Sequence, residues 1–103
     1  MEWFKNLYLS QGLEGKQEEL ISAVEKGEPP VWLYAVTLSI SSRDLLDIRR
    51  ATSLKKLDDQ KKLPMIVGLS RGKAQAIGIT ARMLEDCLAD RGDTCLRDYL
   101  RSV

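Results

Sequence analysis

Apolar and polar positions recur with different periods along this chain, and those periods predict its elements. Near the start, Trp3 and Leu7 stand four apart, as do Phe4 and Tyr8. Both pairs fit one helical stripe, so a first helix is expected over residues 3–9. Gln11-Gly12 interrupts it. A second helix is expected over 15–26, with Leu13, Gln17, Leu20, Ile21 and Val24 on one side and Lys16, Glu18, Glu19 and Glu25 outside it. Gly27 suits the position just past its end, because glycine enters the left-handed conformation without steric cost. Glu28-Pro29-Pro30 cannot continue a helix.

Residues 31–40 read as the first strand, with one large apolar face (Trp32, Tyr34, Val36, Leu38, Ile40) and a smaller one that turns polar at Thr37 and Ser39. The run is about half the roughly 20 residues of a membrane-spanning helix. Ser41-Ser42-Arg43-Asp44 is a weak capping signal. Leu45, Leu46, Ile48 and Ala51, then Leu54 and Leu57, predict a helix over 43–61 broken near Thr52-Ser53. Pro64 ends it, and Met65-Ile66-Val67-Gly68-Leu69 reads as the second strand. The clearest helix follows over 71–91, where Ile77, Ala81, Leu84 and Leu88 repeat at helical spacing, flanked by Ala76, Met83 and Cys87. Gly92 closes it, and Asp93 or Thr94 caps a last short helix carrying Leu96, Tyr99 and Leu100.

The predicted order is α-α-β-α-β-α-α. It describes an α/β domain over 1–103 in which a two-stranded parallel sheet, joined by a helical crossover through 41–64, packs among four to five helices. No internal repeat stands out. Two strands leave open edges, which either helices or a second copy of the chain must cover.

Composition changes this picture in three ways. The 103 residues contain no His, which removes His-based triads, zinc–water sites and His pH switches. Cys87 and Cys95 are eight apart with no CxxC, a spacing that supports neither a zinc nor a redox motif and fits reduced thiols. The net charge of +1 hides an asymmetry: residues 1–42 carry −3, residues 43–73 carry +5 and residues 74–103 carry −1. Arg43, Arg49, Arg50, Lys55 and Lys56 head this basic middle, and nucleic-acid phosphates are a candidate partner for it. Asp44, Asp47, Asp58 and Asp59 are interleaved, however, and no aromatic lies between residues 35 and 98, so base stacking lacks support there. A solvated face, or contact with the chain's own acidic ends, explains the same charges.

The turn Gly68-Leu69-Ser70-Arg71-Gly72-Lys73-Ala74 is the main candidate site. A glycine-containing turn from strand to helix presents backbone N–H groups that hold phosphate or carboxylate. It departs from the nucleotide-binding GxxxxGK[ST] loop, because the spacing is one residue short and Ala74 replaces the metal-binding hydroxyl. A nucleoside-triphosphatase is therefore rejected. The helix that follows is charged against its own dipole: Arg71 and Lys73 stand at its start, and Glu85, Asp86 and Asp90 toward its end. Either those cations pair with a neighbouring segment such as Asp58-Asp59, or Ser70, Arg71, Gly72 and Lys73 form an anion site. No Ser or Cys has a recognisable base nearby, so no catalytic centre, cofactor or metal site is expected. The aromatic start (Trp3, Phe4, Tyr8, with Trp32 and Tyr34) is expected in the core, with a partner surface as the other reading.

From Pro30 onward the chain resembles short bacterial proteins of unknown activity found in Gram-positive gut bacteria, often on mobile elements. The resemblance rests on Thr37-Leu38-Ser39, Leu45-Leu46-Asp47-Ile48, the 66–74 strand-turn-helix and Leu96-Arg97-Asp98-Tyr99-Leu100. It implies a bacterial cytoplasmic setting and an accessory role. Together these readings give a non-enzymatic protein-interaction or accessory module. Its expected partner is another protein, or a second copy joined through a sheet edge or the aromatic first segment. The alternative is a binder of a phosphate-containing ligand or nucleic acid through the 68–74 turn and the basic 43–62 segment. No span or anionic-lipid foot is expected.

Overall fold

The computed structural model describes residues 1–39, 46–92 and 96–102. Its elements are β1 (Trp3–Leu9), α1 (Gln17–Glu25), β2 (Tyr34–Leu38), β3 (Leu46–Arg50), a 3-10 turn (Ala51–Ser53), α2 (Leu54–Asp59), β4 (Ile66–Ser70), α3 (Lys73–Arg91) and α4 (Leu96–Ser102). Among the described residues, four strands form one mixed sheet in the order β1-β4-β2-β3. β1 runs parallel to β4, while β2 is antiparallel to both β4 and β3.

This overturns the two-stranded parallel sheet and the order α-α-β-α-β-α-α. Two segments read as helices are strands. Residues four apart share a side of a strand as well as a stripe of a helix, because four is even. Phe4 and Tyr8 therefore lie on one face of β1, stacked with centroids 6.3 Å apart, while Leu7 and Leu9 face the other way. Aromatic residues fit a pleated, half-buried surface, and WFKNLYL holds three of them. In β3 the alternation is direct: Leu46 and Ile48 pack toward one core, and Asp47 and Arg49 between them point elsewhere. The predicted crossover is thus interrupted by a strand that pairs back on β2. The two predicted strands, now β2 and β4, are antiparallel neighbours. The capping signal at Ser41-Ser42-Arg43-Asp44 and the cap at Asp93 or Thr94 lie outside the described residues.

Helices cover both faces. On one face Leu20 and Val24 of α1 and Leu54 of α2 pack with Leu13, Leu33, Ala35, Ile66 and Leu69. On the other, Ala76, Ile79, Met83 and Cys87 of α3 and Leu96 and Leu100 of α4 pack with Phe4, Val36, Leu38 and Val67. Each fully buried Leu or Ile contributes about 1.5–3 kcal/mol relative to exposure. β4 is buried along its whole length, which explains its uninterrupted apolar sequence. A bulge at Val67 breaks its register against β2, so Val67 and Gly68 both face α3. A Cβ on Gly68 would lie 3.2 Å from Ile79 Cγ2 and 3.3 Å from both Met83 Cε and the Tyr8 carbonyl.

The helix ends expected at Gly27 and Gly92 are found there, both glycines having φ of 78°. The buried side of α3 is displaced from the repeat toward the residues that flank it: Ala76, Met83 and Cys87 face the sheet together with Ile79, Leu84 is partly buried against the same core, and Ile77, Ala81 and Leu88 are exposed.

Candidate functional site at the carboxyl ends of the parallel strands

β1 and β4 end side by side and in the same four-residue pattern: Leu9-Ser10-Gln11-Gly12 and Leu69-Ser70-Arg71-Gly72. The two turns are bonded together. The Ser10 N–H donates to the Leu69 carbonyl at 3.1 Å, and the Arg71 N–H donates to Ser10 Oγ at 3.0 Å. Ser70 Oγ donates to the Gly72 carbonyl at 2.8 Å and tightens its own turn. Both serines are inside, Ser10 at 3% exposure and Ser70 at 0%. From these turns the chain leaves in opposite directions: α1 packs on one face and α3 on the other. Adjacent parallel strands whose connections diverge open a crevice at their carboxyl ends, the usual ligand position in open α/β sheets. Reading the sequence as free of repeats missed Ser10; aligning the two L-S-x-G turns finds it.

α3 begins at the second of these turns. Gly72 is its N-cap, and no side chain caps it. The Ala76 N–H bonds the Gly72 carbonyl at 3.0 Å, while the earlier N–H groups of the first turn have no protein acceptor among the described residues. Gly72 leaves room for Gln75, whose Oε1 lies 2.9 Å from where a Cβ would stand. The cations are not neutralised in the way the first explanation supposed. Asp58 faces the amino group of Met1 at 3.4 Å, and Asp59 faces Lys55 at 3.3 Å. The Arg71 guanidinium lies instead over the Trp32 ring, 4.7 Å from its centroid. Lys73 is exposed and has no ion-pair partner among the described residues.

Tertiary structure also brings aromatics to the cations, which the spacing along the chain had denied. Tyr34 of β2 lies opposite Ser70 on one side and Arg50 on the other. The Arg50 guanidinium stands 5.5 Å from the Tyr34 centroid. One end of the sheet thus carries Ser10, Ser70, Tyr34 and Arg50 in neighbouring strands, with Trp32 and Arg71 beside them. An open groove of about 370 Å³ lies against Gly15, Gln17 and Glu18 at the start of α1. Its carboxylate disfavours an anion there, so the basic turn is the better phosphate site.

The other predicted cations are dispersed. Arg49 pairs with Asp47 at 2.9 Å and reaches Thr37 at 3.4 Å, on the face opposite to Arg50. Lys55 pairs with Asp59, Lys56 is exposed on α2, and Arg43 and Cys95 lie outside the described residues. The aromatic first segment, expected as a helix, is the strand β1. Among the described residues no cluster of His, Cys, Asp or Glu could hold a metal.

A second polar cluster locks β1 to α3. Tyr8 donates its hydroxyl to Asp86, and Arg82 lies 5.6 Å from the Tyr8 centroid. Burial, followed by the hydrogen bond and charge of Asp86, raises the Tyr8 pKa well above the ordinary tyrosine value. Tyr99 of α4 is raised as well, by burial and then by the charges of Asp86 and Asp90. Both hydroxyls are held neutral, and the cluster ties helix to strand.

Fold and site define a three-layer α/β/α domain whose two parallel strands end in bonded L-S-x-G turns. No family model, no curated protein and no solved structure matches this chain. Among the described residues, no helix is long and apolar enough to cross a membrane.

Proposed function

We propose that this chain binds a small phosphate-containing ligand at the carboxyl ends of β1 and β4. The observation that carries the reading is the uncapped start of α3, flanked by Arg71 and Lys73 and not neutralised by Asp58 or Asp59. Free N–H groups, the positive end of the helix dipole and two cations all favour an anion at that point. Arg71 contributes a planar fork of donors and Lys73 a mobile point charge. Trp32, about one-third exposed beneath Arg71, offers a ring against which a base or other flat group can stack.

The test is an amide NMR titration with inorganic phosphate, a mononucleotide and a short DNA duplex. Shifts confined to residues 10–12 and 70–75 at millimolar phosphate, lost in Arg71→Ala/Lys73→Ala, support the reading. Amides that stay in place, or shifts that survive in the double variant, overturn it. A response to duplex alone, spread over Arg50, Lys55 and Lys56, favours nucleic acid bound through the basic middle. The second reading is a non-enzymatic interaction module of the bacterial cytoplasm. It is supported by the exposed apolar side chains Ile77 and Leu88 on α3.

A further inference from the structure

The two edges of the sheet differ. β1, at one edge, meets β4 in a register that shifts between Trp3 and Tyr8, and it turns Lys5 and Asn6 to solvent. Lysines and irregularities of this kind keep an edge from pairing with another chain. β3, at the other edge, is regular. It pairs with β2 in unbroken antiparallel register, from Leu46 opposite Leu38 to Arg50 opposite Tyr34. Its bonding phase is fixed by its end, where the Ala51 N–H donates to the Leu33 carbonyl at 3.0 Å. Bonded residues alternate along an antiparallel ladder. Asp47 and Arg49 therefore bond to β2, whereas the N–H and C=O groups of Leu46, Ile48 and Arg50 point to the open side of the sheet. The Arg50 carbonyl accepts from Ser53 Oγ at 2.8 Å, and the free edge ends there.

We infer that a second copy of this chain adds its own β3 to this edge, antiparallel and centred on Ile48, so that the sheet continues from one copy into the other. The bonding phase and every charge on β3 (Asp47, Arg49 and Arg50) select that register. Outward groups must meet outward groups. A two-fold axis between two residues would set outward groups against inward ones and lose the bonds. Centring on Asp47 opposes two carboxylates, and centring on Arg49 opposes two guanidiniums. Centring on either end residue leaves most of the strand unpaired. Centring on Ile48 sets Asp47 opposite Arg49 of the other copy at two crossings. Opposite charges directly across a sheet are stabilising and like charges destabilising.

The Asp47–Arg49 pair within each copy, at 2.9 Å, is kept, because residues two apart share a face of the strand. The charges then form a square in which each is flanked by two of opposite sign. Arg50 faces Leu46 of the other copy and stays over the Tyr34 ring. The two Arg50 side chains are about 13 Å apart along the strands, beyond the screening length of about 8 Å at physiological salt. On the side facing α3, the partly buried Leu46 and Ile48 of both copies continue one apolar surface. Ile48 exchanges backbone bonds with its counterpart, and each Arg50 N–H reaches the Leu46 carbonyl of the other copy. The same patch meets itself, so the contact closes on a dimer. Pairing through a five-residue strand buries less than the roughly 1,200–2,000 Å² of a standard interface. The dimer is therefore weak, forming between micromolar and millimolar protein, and it does not rest on phosphate binding.

Sedimentation equilibrium over a wide concentration range, without phosphate, tests the inference, with circular dichroism melts to show that each variant is folded. Wild type is expected to dimerise with rising concentration. Asp47→Arg and Arg49→Asp each set like charges opposite one another at both crossings and should raise the dissociation constant about tenfold. An equimolar mixture of these two variants should dimerise again, because each crossing of the mixed pair regains one acid and one base. The double variant Asp47→Arg/Arg49→Asp keeps the pair within the chain and should dimerise as wild type does, which decides the matter even where a single variant fails to fold. A wild type that stays monomeric, single variants that dimerise as tightly as wild type, or a mixture or double variant that stays monomeric overturns the inference. Failure of the phosphate titration leaves it standing.

Discussion

Replacing Ser10 by Ala removes the acceptor that joins the two L-S-x-G turns. The Arg71 N–H that donates to Ser10 Oγ at 3.0 Å would lose its partner at a site where Ser10 is 97% buried. An ordinary hydrogen bond is worth about 1 kcal/mol net, but a buried donor left unsatisfied costs about 1–3 kcal/mol. Arg71 follows the carboxyl end of β4 and is exposed, so water reaches part of the turn and the expected loss is about 1–2 kcal/mol. For a domain of this length each kcal/mol lowers Tm by roughly 4–8 °C, giving a drop of about 4–16 °C. Thermal and urea melts measure the loss, and the urea slope should not change, because the surface exposed on unfolding is the same. Amide exchange gives the local readout: Arg71 should lose protection out of proportion to the amides of β2. Ser10→Thr keeps the acceptor and should retain most of both. An Arg71 amide as protected in Ser10→Ala as in wild type, with Tm unmoved, would refute the claim that this bond couples the turns.

Two further outcomes follow from the packing and the tyrosines. Gly68→Ala should destabilise by about 1–2 kcal/mol, since overpacking typically costs about 1–3 kcal/mol and the gain from a stiffer unfolded chain is only about 0.4–1 kcal/mol. Met83 Cε can swing aside, but the Tyr8 carbonyl belongs to the neighbouring strand and cannot; a Tm at or above wild type would show that the seam has slack. Stability should also fall as pH rises through 10. Tyr8 and Tyr99 are raised above 10.0 in the fold, so the unfolded chain releases their protons first and is favoured as it does. Melts on the alkaline side check this, and Tyr8→Phe should flatten the fall; an unchanged pH slope in that variant would exclude Tyr8 as its source.

Local signals determined α1, the core of β4, α3 and the glycine stops at Gly27 and Gly92. Each depends on short-range chemistry: a strong helical period, an unbroken apolar run, or a residue free to take positive φ. The candidate turn at 68–74 was legible for the same reason, since a strand, a glycine and a helix follow in order. Other features were decided only by tertiary contacts. Trp3–Leu9 satisfies both the helical and the strand spacing, and β4 resolves the choice by offering β1 a parallel neighbour with cores on both sides. β3 exists because β2 had an unpaired edge beside it. Ser10 joined the site, and Trp32 and Tyr34 met Arg71 and Arg50, because sheet order brings together residues far apart in the chain. α3 could turn either apolar stripe inward. The sheet took Ala76, Ile79, Met83 and Cys87, with small Gly68 beneath Ile79 and Met83, and left Ile77 and Leu88 outside. Periodicity states that a helix has an apolar side; only the shape of the surface it packs on decides which side that is.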